Sequence, residues 1–341
     1  MKNRLLTALG TAALTAAPLH AGLFLDQNGP YPYQVHIDMA AEFPFVGVVR
    51  FYESDGLLHH CSGVLRAPNK VLTAAHCMFE GDIGQPVTDV QFLIGADILN
   101  NPEEVVDVPS WIVHPAWAEV GGPGDLAILT LAQPVVSVQL ASLFTGTFQF
   151  CNFNAGGGMP VTMVGYGRPG TSGSGYGEFD GNRRAGILHS DRFWFNRPNY
   201  YLGHFDDPYF PCGDPFTVMG TPGDSGGGWF VNDNGTWKLL GISAIVNGCY
   251  AVRCGATGAM RLDDFNGYRA WVFSHLEIRG DLNCDGAANV LDINPFVLAL
   301  IDPTGYEQQF PGCPISNGDI DGDGSTNVLD INPFIDLLVG N

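Results

Sequence analysis

The chain has 341 residues, with 15 basic side chains against 35 acidic ones. That imbalance leaves no basic surface for a phosphate backbone and excludes nucleic acid as an expected partner. Residues 280–341 hold nine Asp, one Glu and no Lys or Arg, half of the formal net charge of −20. The length accommodates one large core and a small appendage, and the charge step places the division near residue 279.

At the N-terminus Lys2 and Arg4 precede a small and apolar run from Leu5 to Pro18, and Leu19-His20-Ala21 ends in a small residue. Residues 1–21 read as a secretory signal peptide, and residues 22–42 as an N-terminal segment or propeptide. No later apolar run has the length of a membrane span, so the expected product is secreted, with the cell surface as a candidate site of attachment. The eight cysteines agree with export and imply disulfides. None stands in a C-x-x-C pair of the kind that binds zinc.

Short apolar strands are expected at Val46 to Tyr52, Ser62 to Leu65, Lys70 to Thr73, Gln91 to Ile94, Ser110 to Val113 and Leu126 to Leu131. More follow at Pro160 to Val164, Thr217 to Met219, Gly228 to Val231 and Leu239 to Val246. Gly, Pro and Asn turns separate them and no long helical periodicity interrupts them, which makes this part an all-β sandwich or barrel. The Gly-rich stretch 154–186 reads as long surface loops around one strand, and one helix is expected from Asp263 to His275.

Three motifs carry chemistry. In Thr73-Ala74-Ala75-His76-Cys77 a His ends an apolar strand, where it can present one ring nitrogen to a nucleophile and the other to a carboxylate. Gly124-Asp125-Leu126 places a carboxylate at the mouth of another strand. In Gly223-Asp224-Ser225-Gly226-Gly227 the glycines allow a tight turn that exposes the hydroxyl and leaves the N–H groups of Gly223 and Ser225 free for an oxyanion.

LTAAHC around His76, GDLAILTL around Asp125 and GDSGG around Ser225 resemble the chymotrypsin/trypsin-like serine peptidases, in that family's order. The resemblance covers about residues 43–275, within a peptidase domain expected over 43–278, and implies two six-stranded β-barrels with a His76, Asp125, Ser225 triad between them. It also implies peptide hydrolysis through an acyl-enzyme, an oxyanion hole from Gly223 and Ser225, and no catalytic metal. Cys61-Ser62-Gly63 fits as well, implying a Cys61–Cys77 bridge. Thr221 stands where the family has its pocket cysteine, so Cys249 is assigned to its near neighbour Cys254; Cys284 and Cys313 are expected to staple the two C-terminal halves, which leaves Cys151 with Cys212. Met219 replaces an acid at the floor of the primary pocket, whose walls fall on Ala244, Val246 and Gly258; small or aliphatic P1 residues are therefore expected. In the family a freshly cut N-terminus usually inserts against the acid before the nucleophile, here Asp224. No Lys or Arg lies between Arg4 and Arg50, so either a cut near residues 31–37 or another partner for Asp224 is expected. The competing function is a non-catalytic binding module that keeps the fold.

Beyond residue 279 one unit occurs twice, GDLNCDGAANVLDINPF and GDIDGDGSTNVLDINPF. The first copy offers Asp281, Asn283, Asp285, the Ala287 carbonyl, Asn289 and Asp292. The second offers Asp319, Asp321, Asp323, the Ser325 carbonyl, Asn327 and Asp330. Hard oxygen donors at these alternating positions are suited to Ca²⁺, and Gly286 and Gly324 permit the sharp turn. Only the segments after the loops, Ile293 to Ile301 and Ile331 to Val339, are expected to be helical. This duplicated half-motif resembles type I dockerin repeats, which implies a small all-α domain over 279–341, two structural calcium ions, and docking to a cohesin-like or cell-surface partner.

Overall fold

The computed structural model describes residues 22–24, 34–82, 84–152, 154, 156–172, 175–205, 212–247, 255–276, 278–283, 288–310, 313 and 315–339. The expected Cys249–Cys254 pair, Cys284, Asp285, Gly286 and Ala287 lie outside the described residues.

The first sheet contains β1 (Val46–Tyr52), β2 (Leu58–Ala67), β3 (Lys70–Thr73), β4 (Thr88–Ile94), β5 (Glu104–Asp107), β6 (Ser110–Val113) and β7 (Ala127–Thr130). They run in the order β5-β4-β1-β2-β3-β7-β6, every neighbouring pair antiparallel. β1 is almost wholly buried, which explains why VGVVRFY reads as a continuous β-branched and aromatic run rather than an alternating one.

The second sheet contains β8 (Val161–Gly165), β9 (Arg184–Trp194), β10 (Arg197–His204), β11 (Gly228–Asp233), β12 (Thr236–Val246) and β13 (Ala256–Arg261). Its order is β11-β8-β9-β10-β13-β12, with the short strand Ser142–Leu143 parallel to β12 at the edge, and β11 also pairs with β12, so the six longer strands close on themselves. A smaller sheet inserts the strand Gly22–Phe24 between Pro169–Thr171 and Val218–Met219.

Stretch 154–186 holds more than the single strand expected of it: besides β8 it carries Pro169–Thr171, Gly175–Tyr176 and the start of β9. β9 and β10 went unread because RAGILHSDRFW and RPNYYLGH intersperse charges and His among the apolar residues, and β9 is bulged against β10. The helix expected over Asp263 to His275 is a 3₁₀ turn, Phe265–Gly267, followed by the helix Tyr268–Leu276. Positive φ at Asn266 and Gly267 separates them. A short helix, Gln34–Ala40, precedes β1.

Phe43 and Phe45, just before β1, pack on Phe230 of β11 at centroid distances of 5.0 and 5.4 Å. This aromatic contact joins the two large sheets. The structure bonds Cys61 to Cys77 and Cys151 to Cys212.

The C-terminal region contains the helices Ile293–Ile301, Pro303–Gln309 and Ile331–Val339 around a core of Leu282, Phe296, Ala299, Tyr306, Cys313 and Phe334. Cys313 is disulfide-bonded. Among the described residues no helix is long and apolar enough to cross a membrane. Phe230→Ala should lower unfolding free energy by about 3–5 kcal/mol, read as a lower urea midpoint with an unchanged slope.

Candidate active site

Strand pairing brings the first two residues of the site together. Thr73 at the end of β3 lies opposite Ala127 at the start of β7, so the residues just after Thr73 and just before Ala127 share one end of the sheet. His76 sits in the 3₁₀ turn Ala75–Met78. Its backbone N–H donates to Asp125 Oδ1 at 3.0 Å and its ring Nδ1 lies 2.9 Å from Oδ2. Asp125 is fully buried and His76 nearly so. A buried carboxylate facing Nδ1 favours the tautomer with the proton on that atom, which leaves Nε2 as the acceptor for a nucleophile's proton.

The Gly223–Gly227 turn comes from the second sheet and is held against the first. Ser62 of β2 donates its backbone N–H to the Ser225 carbonyl at 2.7 Å and its hydroxyl to the Gly223 carbonyl at 2.8 Å. The Ser62 hydroxyl also accepts the Tyr166 N–H at 2.9 Å, and Thr73 Oγ1 donates to the Ser62 carbonyl at 2.8 Å. On the other side Gly226 N–H donates to Ser243 O at 2.7 Å, and Ser243 N–H to Gly227 O at 2.8 Å. Gly226 has φ of +82°, and a Cβ there would collide with the Ser62 carbonyl and the Thr73 hydroxyl. The glycine is required both by conformation and by the close approach of β2.

Within the turn, Asp224 N–H and Gly226 N–H are bonded to Thr221 O and Ser243 O. Among the described residues the N–H groups of Gly223 and Ser225 donate to no protein acceptor. Ser225 itself is half-buried.

Asp224 points away from solvent. Its carboxylate accepts from Gly167 N–H at 2.8 Å, Thr221 N–H at 2.9 Å and Thr221 Oγ1 at 3.2 Å. A Cβ at Gly167 would overlap this carboxylate, so Gly165-Tyr166-Gly167 is shaped by it. Burial pushes the Asp224 carboxyl up to about 6 against the lowering effect of these hydrogen bonds and of Arg184.

His60 was not singled out by sequence reasoning. Its Nε2 is buried without a hydrogen-bond partner, close enough to Gly223 that a Cβ there would strike it. Burial, then the nearby Arg168, holds its pKa down to about 4, so the ring stays neutral around pH 7. Its adjacency to Cys61 gave no signal of this placement.

Of the expected pocket residues, Met219 and Ala244 are buried and Val246 is exposed. Ile245 and Val246 pair with Gly258 and Thr257. Trp194, also missed from sequence, packs so tightly on Gly258 that a Cβ there would touch its ring.

In the C-terminal repeats, carboxylate oxygens of Asp319, Asp321 and Asp323 lie within 4.8 Å of one another, an acidic cluster able to hold a divalent cation. Asp330 is not part of that cluster: it is fully buried, with Oδ1 accepting from Ile320 and Asp321 N–H and Oδ2 from Asn327 N–H. Asp292 does the same to Leu282, Asn283 and Asn289. Asn327 Oδ1 accepts from Leu329 N–H and Asn289 Oδ1 from Leu291 N–H, each capping a 3₁₀ turn.

Replacing Ser62 by Ala removes one acceptor and one donor behind the turn while leaving its backbone bond to Ser225. Turnover should fall about tenfold with KM little changed, measured on any cleaved substrate, and Ser62→Thr should recover part of the loss.

The trypsin family profile matches residues 28–266. A trypsin of Saccharopolyspora erythraea is 28% identical over 193 residues, covering 55% of this chain and 76% of that protein. Chymotrypsin-like elastase family member 1 of Rattus norvegicus is 30% identical over 207 residues, with 58% and 73% covered. Chymotrypsin-like elastase family member 3B of Macaca mulatta is 30% identical over 213 residues, with 59% and 78% covered. The profile match extends over well more than half of the sequence, and on that ground the chain belongs to the trypsin family of serine endopeptidases.

Proposed function

We propose that the protein is a secreted serine endopeptidase in which Ser225 is the nucleophile, carrying a C-terminal calcium-binding unit for docking. The observation that carries this reading is the buried His76–Asp125 pair beside a turn whose Gly223 and Ser225 N–H groups have no protein acceptor among the described residues. Ser225 Oγ attacks the scissile carbonyl as His76 Nε2 takes its proton. His76⁺ is stabilised by Asp125 and returns the proton to the leaving amine, and water then repeats the sequence on the acyl-enzyme. The two N–H groups receive the oxyanion, each contributing about 3 kcal/mol in comparable sites.

Met219, Ala244, Val246 and Gly258 line the primary pocket in this reading. They supply no carboxylate for Lys or Arg, and Trp194 against Gly258 narrows the space, which supports small or aliphatic P1 residues.

Calcium is the fitting ion for the repeats. Asp319, Asp321 and Asp323 are hard oxygen donors already gathered, and Ser325 O, Asn327 and Asp330 would complete the second loop. Asp281, Asn283, Asp285, Ala287 O, Asn289 and Asp292 would form the first. The ion contributes folding stability and takes no part in hydrolysis. Val290 and Leu291 are 69% and 64% exposed, and their counterparts Val328 and Leu329 are 70% and 63% exposed. These twin apolar pairs support docking to a cohesin-like or cell-surface protein partner.

Fluorophosphonate labelling of the wild-type protein beside Ser225→Ala tests the nucleophile. Labelling only of the wild type is expected; no labelling of the folded protein would leave a non-catalytic binding module. Asp125→Asn should lower kcat about 10⁴-fold, because the amide favours the wrong imidazole tautomer. For the repeats, calcium at about one hundred times its Kd should stabilise the C-terminal transition by about 2.7 kcal/mol in calorimetry. Asp321→Ala should abolish most of the effect of the second site.

A further inference from the structure

The turn that joins β1 to β2 gathers three side chains that the hydrolytic mechanism does not use. Glu53 directly follows β1, and His59 is the second residue of β2, opposite Phe51. Between them Gly56 N–H donates to the Glu53 carbonyl at 2.9 Å and Glu53 N–H to the Leu57 carbonyl at 3.3 Å. Gly56 takes a φ of +76° to close this turn. Asp55 is drawn into it as well, its Oδ1 accepting the Leu57 N–H at 2.8 Å. The backbone thus brings Glu53, Asp55 and His59 to one end of the hairpin, where a carboxylate oxygen from each acid and a ring nitrogen of the His lie within 4.8 Å of one another.

Protein partners alone do not satisfy these groups. His59 Nε2 is buried and has no hydrogen-bond partner, although the side chain as a whole is 39% exposed. It stands 3.9 Å from Glu53 Oε2, too far for a hydrogen bond. The ring lies nearly parallel to that of Phe51, with 14° between the planes and 6.1 Å between centroids. Among the described residues no Lys or Arg pairs with Glu53 or Asp55. A buried imidazole nitrogen that faces two carboxylates beyond hydrogen-bond distance is matched by a cation that bonds to all three.

Donor chemistry and spacing decide which ion. Ligand atoms about 2.1 Å from one tetrahedral ion stand about 3.4 Å apart, so Nε2 and Oε2 need to close by about half an ångström, within reach of small χ rotations. An imidazole nitrogen beside two carboxylates suits zinc better than calcium, which takes oxygen donors. In this it differs from the Asp319, Asp321 and Asp323 cluster, which is all carboxylate. We propose that Glu53, Asp55 and His59 form a zinc site that fastens the end of β1 to the start of β2, with solvent in the remaining coordination position. The ion stabilises the hairpin whose strand β2 also carries Ser62, the residue bonded to Gly223 and Ser225. This inference goes beyond the peptidase reading and does not depend on a reactive Ser225.

Zinc uptake by the full-length chain in excess calcium can be followed by titration calorimetry, with His59→Ala, His59→Gln, Glu53→Gln and Asp55→Asn beside the wild type. The wild type should bind one zinc ion that both His59 variants fail to bind, and each carboxylate variant should weaken it about 10- to 100-fold. Zinc should raise the melting temperature of the wild type and leave that of His59→Gln unchanged. Cobalt in place of zinc should give a strongly shifted ring N–H proton resonance in the wild type that His59→Gln lacks. Urea midpoints without added zinc show whether the variants fold as the wild type does; where a His59 variant does not, the cobalt signal of the wild type decides. Equal zinc uptake by the wild type and the folded His59 variants, whether one ion or none, would overturn the proposal. So would an affinity that neither carboxylate variant changes, or a cobalt-loaded wild type without the shifted resonance.

Discussion

The site depends on holding a turn of one sheet against a strand of another, and that contact runs through Ser62. Its N–H, hydroxyl and carbonyl are all engaged, to Ser225 O, to Gly223 O and Tyr166 N, and to Thr73 Oγ1. Thr73 is three residues before His76 and lies opposite Ala127, two residues after Asp125. One residue of β2, through its backbone and its hydroxyl together, thus ties the end of β3 that leads into His76 to the turn of the second sheet through bonds of ordinary length. Such a chain is buried, where an unmade bond would cost the full desolvation of its partner, so the turn has little freedom to drift.

Two kinds of acidic residue recur through the fold. Asp125, Asp224, Asp292 and Asp330 are buried, and each accepts at least one backbone N–H. Asp224, Asp292 and Asp330 each reach back to the N–H of the residue three positions earlier, Thr221, Asn289 and Asn327. A carboxylate in this position closes a loop by satisfying donors that the loop cannot satisfy itself. Asp319, Asp321 and Asp323 are instead clustered near the surface, an acidic group able to hold a divalent cation, which would relieve their mutual repulsion. The strongly acidic composition therefore includes internal braces and a surface cluster of carboxylates.

Much of this could be read from the sequence because local chemistry dictated it. Val46 to Tyr52, Lys70 to Thr73 and Ser110 to Val113 coincide with β1, β3 and β6, since each is an apolar run bounded by turn residues. The helices Ile293–Ile301 and Ile331–Val339 were bounded by the loops before them. The partnership of His76 with Asp125 followed from motif order. Strands β9 and β10 were obscured because their Arg and His residues are held by carboxylates rather than left in water: Arg184 by Asp180 just before β9, and His204 of β10 by Asp191 of β9. The insertion of Gly22–Phe24 was equally hidden, because a three-residue strand has no periodicity and its register is set wholly by segments far along the chain. His60 and Trp194 lacked any motif; their importance comes from backbone that passes close to Gly223 and Gly258.

The two C-terminal repeats could not stand separately. Phe296 and Phe334 meet at 4.5 Å, Tyr306 OH donates to the Leu282 carbonyl, and Asn317 Nδ2 donates to the Asp281 carbonyl, so the core is shared between copies. A core this small gains from a staple, which the Cys313 disulfide supplies and bound calcium would reinforce. The exposed pairs Val290-Leu291 and Val328-Leu329 follow from the same construction. Each pair occupies a 3₁₀ turn closed by a reciprocal box, Asn289 with Asp292 and Asn327 with Asp330, while the helix that follows turns its Phe inward. The buried Asp closes the loop and fixes the turn at once, so a turn that presents its apolar pair outward requires a closed loop. Loop closure and the proposed docking surface are therefore one structural event, and an ion that favours the closed loop favours the surface to the same extent.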